Sequence, residues 1–305
     1  MNSYNIKKSI LETISYFDIF DYPLTTEEIT NYLWKSPASL DSVRKNIRKM
    51  IGNELGRKGE FYFLRNRDEI VKARRERQII SAGKWKKAKR IVGILRIIPF
   101  IRGIAVTQSL AINNAKEDSD IDLLIITSPK RIWIARAFTN LLLDLFRKRR
   151  PKNKNRICPN FLIVSNKSNI KSVSIEPQDI YLAYWINTTS FLFGKKAARD
   201  FINFNSWILE LLPNRKTNSV NGLKPNPFYK MTQKILEFIL YPFAGKFEKF
   251  VKEKQLKIID KNKKTAKNPS IISSDEIIKI HYDDKRGYYL HEWESRIEKF
   301  QSTRA

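Results

Sequence analysis

The sequence predicts an α/β fold of the α+β class, in which a mixed sheet is flanked by a small N-terminal module and a helical C-terminal region. Two aliphatic stretches, at 102–110 and 119–127, have the composition of buried strands. A third stretch at 156–164 has the same character, and an amphipathic helix at 129–150 separates it from the second. Strands that alternate with a helix in this way are typical of a sheet covered by helices.

Composition narrows the class of protein. With 305 residues, of which 42% are hydrophobic and 12% aromatic, the chain can form about two or three folded domains. Its single cysteine, Cys158, cannot form an internal disulfide, and two histidines argue against a Cys/His zinc site. The N-terminal stretch 1–17 lacks the apolar centre of a signal peptide. We therefore expect a cytoplasmic protein.

The most apolar stretch, at 91–106, is interrupted by Arg96, Pro99 and Arg102, which a membrane-spanning helix would accommodate at high cost. We therefore expect no membrane partner. The formal net charge of +27 attracts polyanions such as nucleic acid, nucleoside triphosphates and acidic membranes. A lysine-rich surface without a specific partner explains the same charge. A nucleic-acid partner is therefore one of two interpretations of the net charge.

The first 67 residues predict three helices followed by a hairpin, an order that resembles a winged-helix domain. Thr25 and Glu28 form a capping-box pattern at the start of the second helix. The third helix, at 39–51, has an apolar inner face and a basic outer face made by Arg44, Lys45, Arg48 and Lys49. This helix either enters a nucleic-acid groove or serves a packing module.

The rest of the chain divides into three parts. A basic helical connector is expected at 68–99, with a break near Gly83. The sheet domain covers 100–212, and a region expected to be helical covers 213–305. Within the third strand, Pro159 predicts either an edge position or a bulge.

Two aspartates stand one residue apart in the second strand. Side chains two apart in a strand point to the same side, so Asp120 and Asp122 face away from the aliphatic residues between and after them. Two like charges held side by side favour a bound cation.

These residues resemble the DNA polymerase beta-like nucleotidyltransferases, and among them the compact bacterial members. That superfamily has a strand, a Gly-Ser turn that opens a helix, and then an Asp-x-Asp strand. The residues that fall in register with the pattern are Ser109, Ala111, Ser119, Asp120, Ile121 and Asp122. Gln108 and Asn113 stand where the superfamily has glycines. Asparagine tolerates the left-handed backbone that such a turn requires better than most residues do, so we expect Asn113 or Asn114 to make the turn.

The resemblance implies magnesium-dependent transfer of a nucleoside monophosphate from a nucleoside triphosphate to an acceptor hydroxyl. Asp120 and Asp122 would be the catalytic carboxylates and would bind one or two Mg²⁺ ions. The triphosphate would lie against the turn formed by Gln108, Ser109, Asn113 and Ser119. The acceptor, the preferred nucleotide and the oligomeric state do not follow from the sequence.

A third carboxylate, usual on a later strand of the superfamily, has no clear counterpart. Asn160 is the polar residue nearest the expected place, with Glu176 and Asp179 beyond it. Two other functions stay open for this reason. In one, the fold has lost catalysis and binds nucleotides or nucleic acid. In the other, the central domain only dimerises a nucleic-acid-binding regulator. His281 and His291 are interpreted as ordinary helix or core residues.

Overall fold

The structure is a computed structural model that describes residues 5–146, 155–216 and 222–302. It is an α+β protein built on a mixed six-stranded sheet, as predicted. The helices and strands in chain order are α1 (Ile6–Asp18), α2 (Thr26–Asn31), α3 (Leu40–Met50), β1 (Leu55–Lys58), β2 (Phe61–Leu64), α4 (Ile70–Leu95), β3 (Ile101–Val106), α5 (Gln108–Ala111), β4 (Ile121–Thr127), α6 (Ile132–Leu145), β5 (Ile157–Val164), α7 (Ile180–Thr188), β6 (Ser190–Phe193), α8 (Lys195–Phe204), α9 (Pro227–Leu240), α10 (Ala244–Lys263), β7 (Ser270–Ser273), β8 (Ile277–His281) and α11 (Arg286–Ser302).

The large sheet has the strand order β6-β3-β4-β5-β8-β7, and only the pair β4–β5 is parallel. The register of that pair moves from Asp122↔Cys158 to Leu124↔Phe161, so β5 contains one extra residue beside Pro159. The predicted bulge is therefore confirmed. The alternative of an edge strand is wrong, because β5 lies between β4 and β8.

Strand β4 separates two cores. Ile121, Leu123 and Ile125 belong to a core that α4, α6 and α10 complete. Leu124 and Ile126 point to the opposite face, where α7 and α8 cover them. The predicted alternation along this strand is confirmed, and it directs the Asp122 side chain to the face of Leu124.

The N-terminal residues form three helices and the β1–β2 hairpin, in the predicted order. The capping box is present, since Thr25 Oγ1 accepts from the Glu28 amide and the Glu28 side chain accepts from the Thr25 amide. The core of this module includes residues of α7 and α11, among them Tyr184 and Trp293. It is therefore packed against the sheet domain and does not stand apart. That it is a winged helix stays a prediction.

Helix α4 is continuous through Gly83, so the predicted break is wrong. A glycine inside a helix costs about 1 kcal/mol relative to alanine. The neighbours Ser81, Lys84 and Ala88 are buried against the rest of the molecule and hold the helix together at this point. The helix ends at Leu95, a few residues before Pro99, as the proline predicts.

The C-terminal region is not wholly helical, which corrects the expectation for 213–305. Strands β7 and β8 lie within it and extend the large sheet beyond β5. Ile278 and Ile280 are buried in β8, and branched side chains of this kind favour a strand. Across the described residues, no helix combines the length and apolarity that a bilayer crossing requires.

Candidate functional site

The backbone between β3 and β4 brings the turn and the two aspartates together. The Thr107 amide donates to the Asp122 carbonyl oxygen at 3.0 Å. The chain then reverses through α5, and both positions where the superfamily has glycine are left-handed, with φ of 57° at Gln108 and 56° at Asn113. Of the two asparagines expected to make the turn, Asn113 and Asn114, the structure shows Asn113 in the left-handed conformation. Gln108 adopts the same conformation, at a cost of about 1 kcal/mol for a residue with a side chain.

The turn is fastened to two other parts of the molecule. Trp85 Nε1 of α4 donates to Asn113 Oδ1 at 2.8 Å, so this side chain supports the turn. The buried Asn114 side chain donates to the Phe20 carbonyl at 2.9 Å and accepts from Arg77 at 3.2 Å. The N-terminal module and α4 therefore fix the position of the turn.

A cleft opens beside the turn. One cavity of about 170 Å³ is lined by Gln108 and Ser109 and by aromatic rings of α1, the turn after it, α7 and α11, namely Tyr16, Phe17, Phe20, Tyr181, Tyr184, Trp185 and Tyr289. A second cavity of about 120 Å³ shares Gln108, Tyr181, Trp185 and Tyr289 with the first, and charged residues of β8 and α11 lie at its other end. The Ser109 side of the turn therefore meets a mainly aromatic space.

Asp120, just before β4, is held by Arg156. The Arg156 amide donates to Asp120 Oδ1 at 2.8 Å, and its guanidinium Nη2 and Nε donate to Oδ2 at 2.8 and 3.1 Å. These hydrogen bonds raise the pKa of Arg156. Arg156 directly precedes β5, and the parallel pairing of β5 with β4 places the two residues side by side. Sequence reasoning missed Arg156, which stood within a long basic run.

Asp122 is half-buried on β4. Burial, followed by the charge of Asp120, raises the pKa of Asp122 to about 7. Asn160 Nδ2 donates to Asp122 Oδ1 at 3.3 Å and opposes that rise. Because the bulge in β5 falls here, Asn160 lies next to Asp122, at the position where the resemblance implies a third carboxylate.

The loop before Asp120 is held by a buried lysine that sequence reasoning also missed. Lys84 Nζ donates to the carbonyls of Glu117 and Ser119 at 3.0 and 2.7 Å, and to Asn155 Oδ1 at 2.9 Å. Ser119 Oγ accepts from the Lys116 amide at 3.0 Å, so its hydroxyl is used within the loop. In the sequence, Lys84 has the helical spacing that places it on the same side of α4 as Ala88 and Ile91. This spacing could have predicted that Lys84 is buried.

The remaining candidates lie elsewhere. Asp179 caps α7 through the Leu182 amide at 2.8 Å and pairs with Arg286 at 2.7 Å, while Glu176 is exposed. His281 lies in β8 and not in a helix, and burial lowers its pKa to about 4, so it is neutral at pH 7. His291 lies in α11. Within the ranges that the structure describes, no group of three or more His, Cys, Asp or Glu residues is placed to hold a metal.

The oxygen ligands at this end of strands β4 and β5 nevertheless fit Mg²⁺. Asp120 and Asp122 supply carboxylate oxygens, the ligands that a hard cation prefers, and the Asn160 amide contains a further oxygen. Burial is the main cause of the raised pKa of Asp122, and a cation bound beside it would favour the charged carboxylate. Arg156 neutralises Asp120, so a cation must compete with this guanidinium.

Comparisons of the chain with protein-family models, with curated proteins and with solved structures found no match.

Proposed function

We propose that the protein is a cytoplasmic, magnesium-dependent nucleotidyltransferase that moves a nucleoside monophosphate from a nucleoside triphosphate to an acceptor hydroxyl. One observation carries the proposal: the Thr107 amide, directly before the turn that begins at left-handed Gln108, donates to the backbone carbonyl of Asp122, so the turn lies beside the segment that carries the two carboxylates. A triphosphate on the turn would therefore lie next to the carboxylates.

Each residue has a stated task in this proposal. Asp120 and Asp122 would hold Mg²⁺, which neutralises the triphosphate and the leaving pyrophosphate. The Ser109 hydroxyl and the amides of the turn would bind phosphate oxygens. Asn160 cannot accept the proton of the acceptor, so its task is limited to supporting Asp122. The aromatic cleft beside Ser109 suits stacking with a planar ring of the nucleotide or of the acceptor.

The direct test uses labelled nucleoside triphosphates, Mg²⁺ and a panel of hydroxyl acceptors. Asp120→Ala and Asp122→Ala are expected to lower labelling on the order of 100-fold or more, because the metal is needed for charge neutralisation. Asp118→Ala is the matched control, since Asp118 is an exposed carboxylate in the same loop. Equal labelling by wild type and both site variants would defeat the proposal.

A second candidate is a protein of the same fold that binds nucleotides or nucleic acid without catalysis. The ion pair of Arg156 with Asp120 and the amide of Asn160 favour it, because both reduce the charge available to a metal. The exposed Arg48 and Lys49 of α3 suit contacts with phosphates of nucleic acid. Calorimetric titration with Mg²⁺ and each triphosphate, beside a gel-shift assay on duplex DNA and on RNA, separates the two. Binding without labelling supports the second candidate.

A further inference from the structure

Helix α9 turns an apolar stripe to the solvent. No residue of this helix is buried. The stripe is defined by Phe228, Met231, Ile235, Phe238 and Ile239, whose exposed fractions lie between 50% and 82%. Their spacing places them on one side of the helix. Tyr241 and Phe243, 72% and 69% exposed, continue the apolar surface after the helix ends.

The opposite side of α9 is fastened to the sheet domain, so the stripe cannot turn inward. Gln233 Nε2 donates to the carbonyls of Ile98 and Ile101 at 2.8 and 2.9 Å. Glu237 accepts two hydrogen bonds from the Arg102 guanidinium at 2.7 and 3.0 Å. These polar contacts fix the rotation of the helix about its axis.

The charge around the stripe is positive. Lys230 and Lys234 are exposed on α9, and Lys246 and Lys249 are exposed at the start of α10. The nearby carboxylates face the protein. Glu237 is engaged with Arg102, and Glu248 accepts from the amides at the start of α6 at 2.9 Å. The outward surface therefore combines large apolar side chains with lysines.

We infer that the α9 stripe docks on an anionic lipid surface. A helix with this composition lies in the plane of a membrane, with its apolar side in the acyl boundary and its lysines among the head groups. A second copy of the chain is disfavoured, because each copy carries a formal charge of +27 and would bring lysines against lysines. The inference departs from the expectation, drawn from the sequence, that the protein has no membrane partner; a helix in the plane of the surface does not need to cross the bilayer. The inference does not depend on the proposed transferase activity.

The experiment is co-sedimentation of the full chain with vesicles of phosphatidylcholine alone and with added phosphatidylglycerol. Wild type is expected to bind only the anionic vesicles, and more weakly as salt is added. The double variant Phe238→Asn/Ile239→Asn is expected to bind at least about tenfold more weakly, because two exposed side chains no longer enter the membrane. Ile79→Asn is the matched control, since Ile79 is 77% exposed on α4, away from the stripe.

Charge is tested separately with Lys230→Glu/Lys234→Glu, and Lys86→Glu/Lys89→Glu is the control with the same change of net charge. A greater loss of vesicle binding in Lys230→Glu/Lys234→Glu than in Lys86→Glu/Lys89→Glu supports the inference. Equal binding by wild type and the Phe238/Ile239 variant overturns it, since the net charge alone would then explain the sedimentation. A wild-type dimer that the same variant dissociates in sedimentation velocity also overturns it. Vesicle binding does not require triphosphate, so failure here leaves the transferase proposal unaffected.

Discussion

Arg156 and Asp120 form a two-point ion pair at the start of two parallel strands, with Nη2 and Nε of the guanidinium at 2.8 and 3.1 Å from the same carboxylate oxygen. The pair leaves Asp122, two residues further on, as the carboxylate with a raised pKa. The charge at the site therefore depends on Asp122 of β4 and on Arg156, which directly precedes β5.

Removal of the guanidinium should free Asp120 for a metal. Arg156→Gln is expected to tighten Mg²⁺ binding about two- to fivefold, because a partly exposed ion pair contributes about 0.4–1 kcal/mol that the metal no longer has to overcome. Isothermal titration calorimetry with MgCl₂ measures the change. Arg75→Gln, at an exposed position on α4, controls for the loss of one positive charge. Unchanged or weaker binding in Arg156→Gln would show that Asp120 is not a ligand.

Replacement of Asp122 by asparagine should stabilise the fold in a pH-dependent way. The folded pKa of Asp122 is about 7 and its ordinary value is 3.8, so folding takes up a proton between these values. Wild-type stability therefore falls as pH rises through this window, and asparagine removes that loss. We expect a gain of about 1–3 kcal/mol near pH 8 and a smaller gain near pH 5, measured by urea denaturation. The same gain at both pH values would contradict the raised pKa.

Gln108→Gly should relieve backbone strain at the start of α5. Gln108 has φ of 57°, which glycine adopts freely, while the more flexible unfolded chain offsets part of the benefit. We expect the free energy of unfolding to rise by about 0.5–1 kcal/mol. Gln108→Ala removes the same side chain but keeps the strain, so it should give no gain. A comparable gain in both variants would locate the effect in the side chain.

Lys84→Met should loosen the loop that carries Asp120. The substitution removes three hydrogen bonds from a buried ammonium group and leaves two backbone carbonyls without that donor. A loss of about 1–3 kcal/mol in unfolding free energy is expected. Chemical denaturation measures it, with Lys86→Met on the exposed side of α4 as the control. If both variants lose the same stability, Lys84 does not anchor the loop.

Several features were predictable because neighbouring residues along the chain determine them. The capping box of Thr25 and Glu28 needs only residues of one helical turn. The alternation along β4 follows from the strand repeat, and a turn at Asn113 or Asn114 follows from the tolerance of asparagine for positive φ. The sequence by itself therefore determined the strand that carries Asp120 and Asp122, with the turn before it.

Only the tertiary structure decided what those aspartates contact. Arg156 and Asn160 lie 36 and 38 residues from their partners, and the register of β5 against β4 brings them together. Strands β7 and β8 replace the expected helix for a similar reason, since β8 pairs with β5, which is distant in the sequence, and β7 pairs with β8. Local patterns encode elements and the sides they bury, but pairing between distant segments depends on packing across the whole core, which no single stretch of sequence contains.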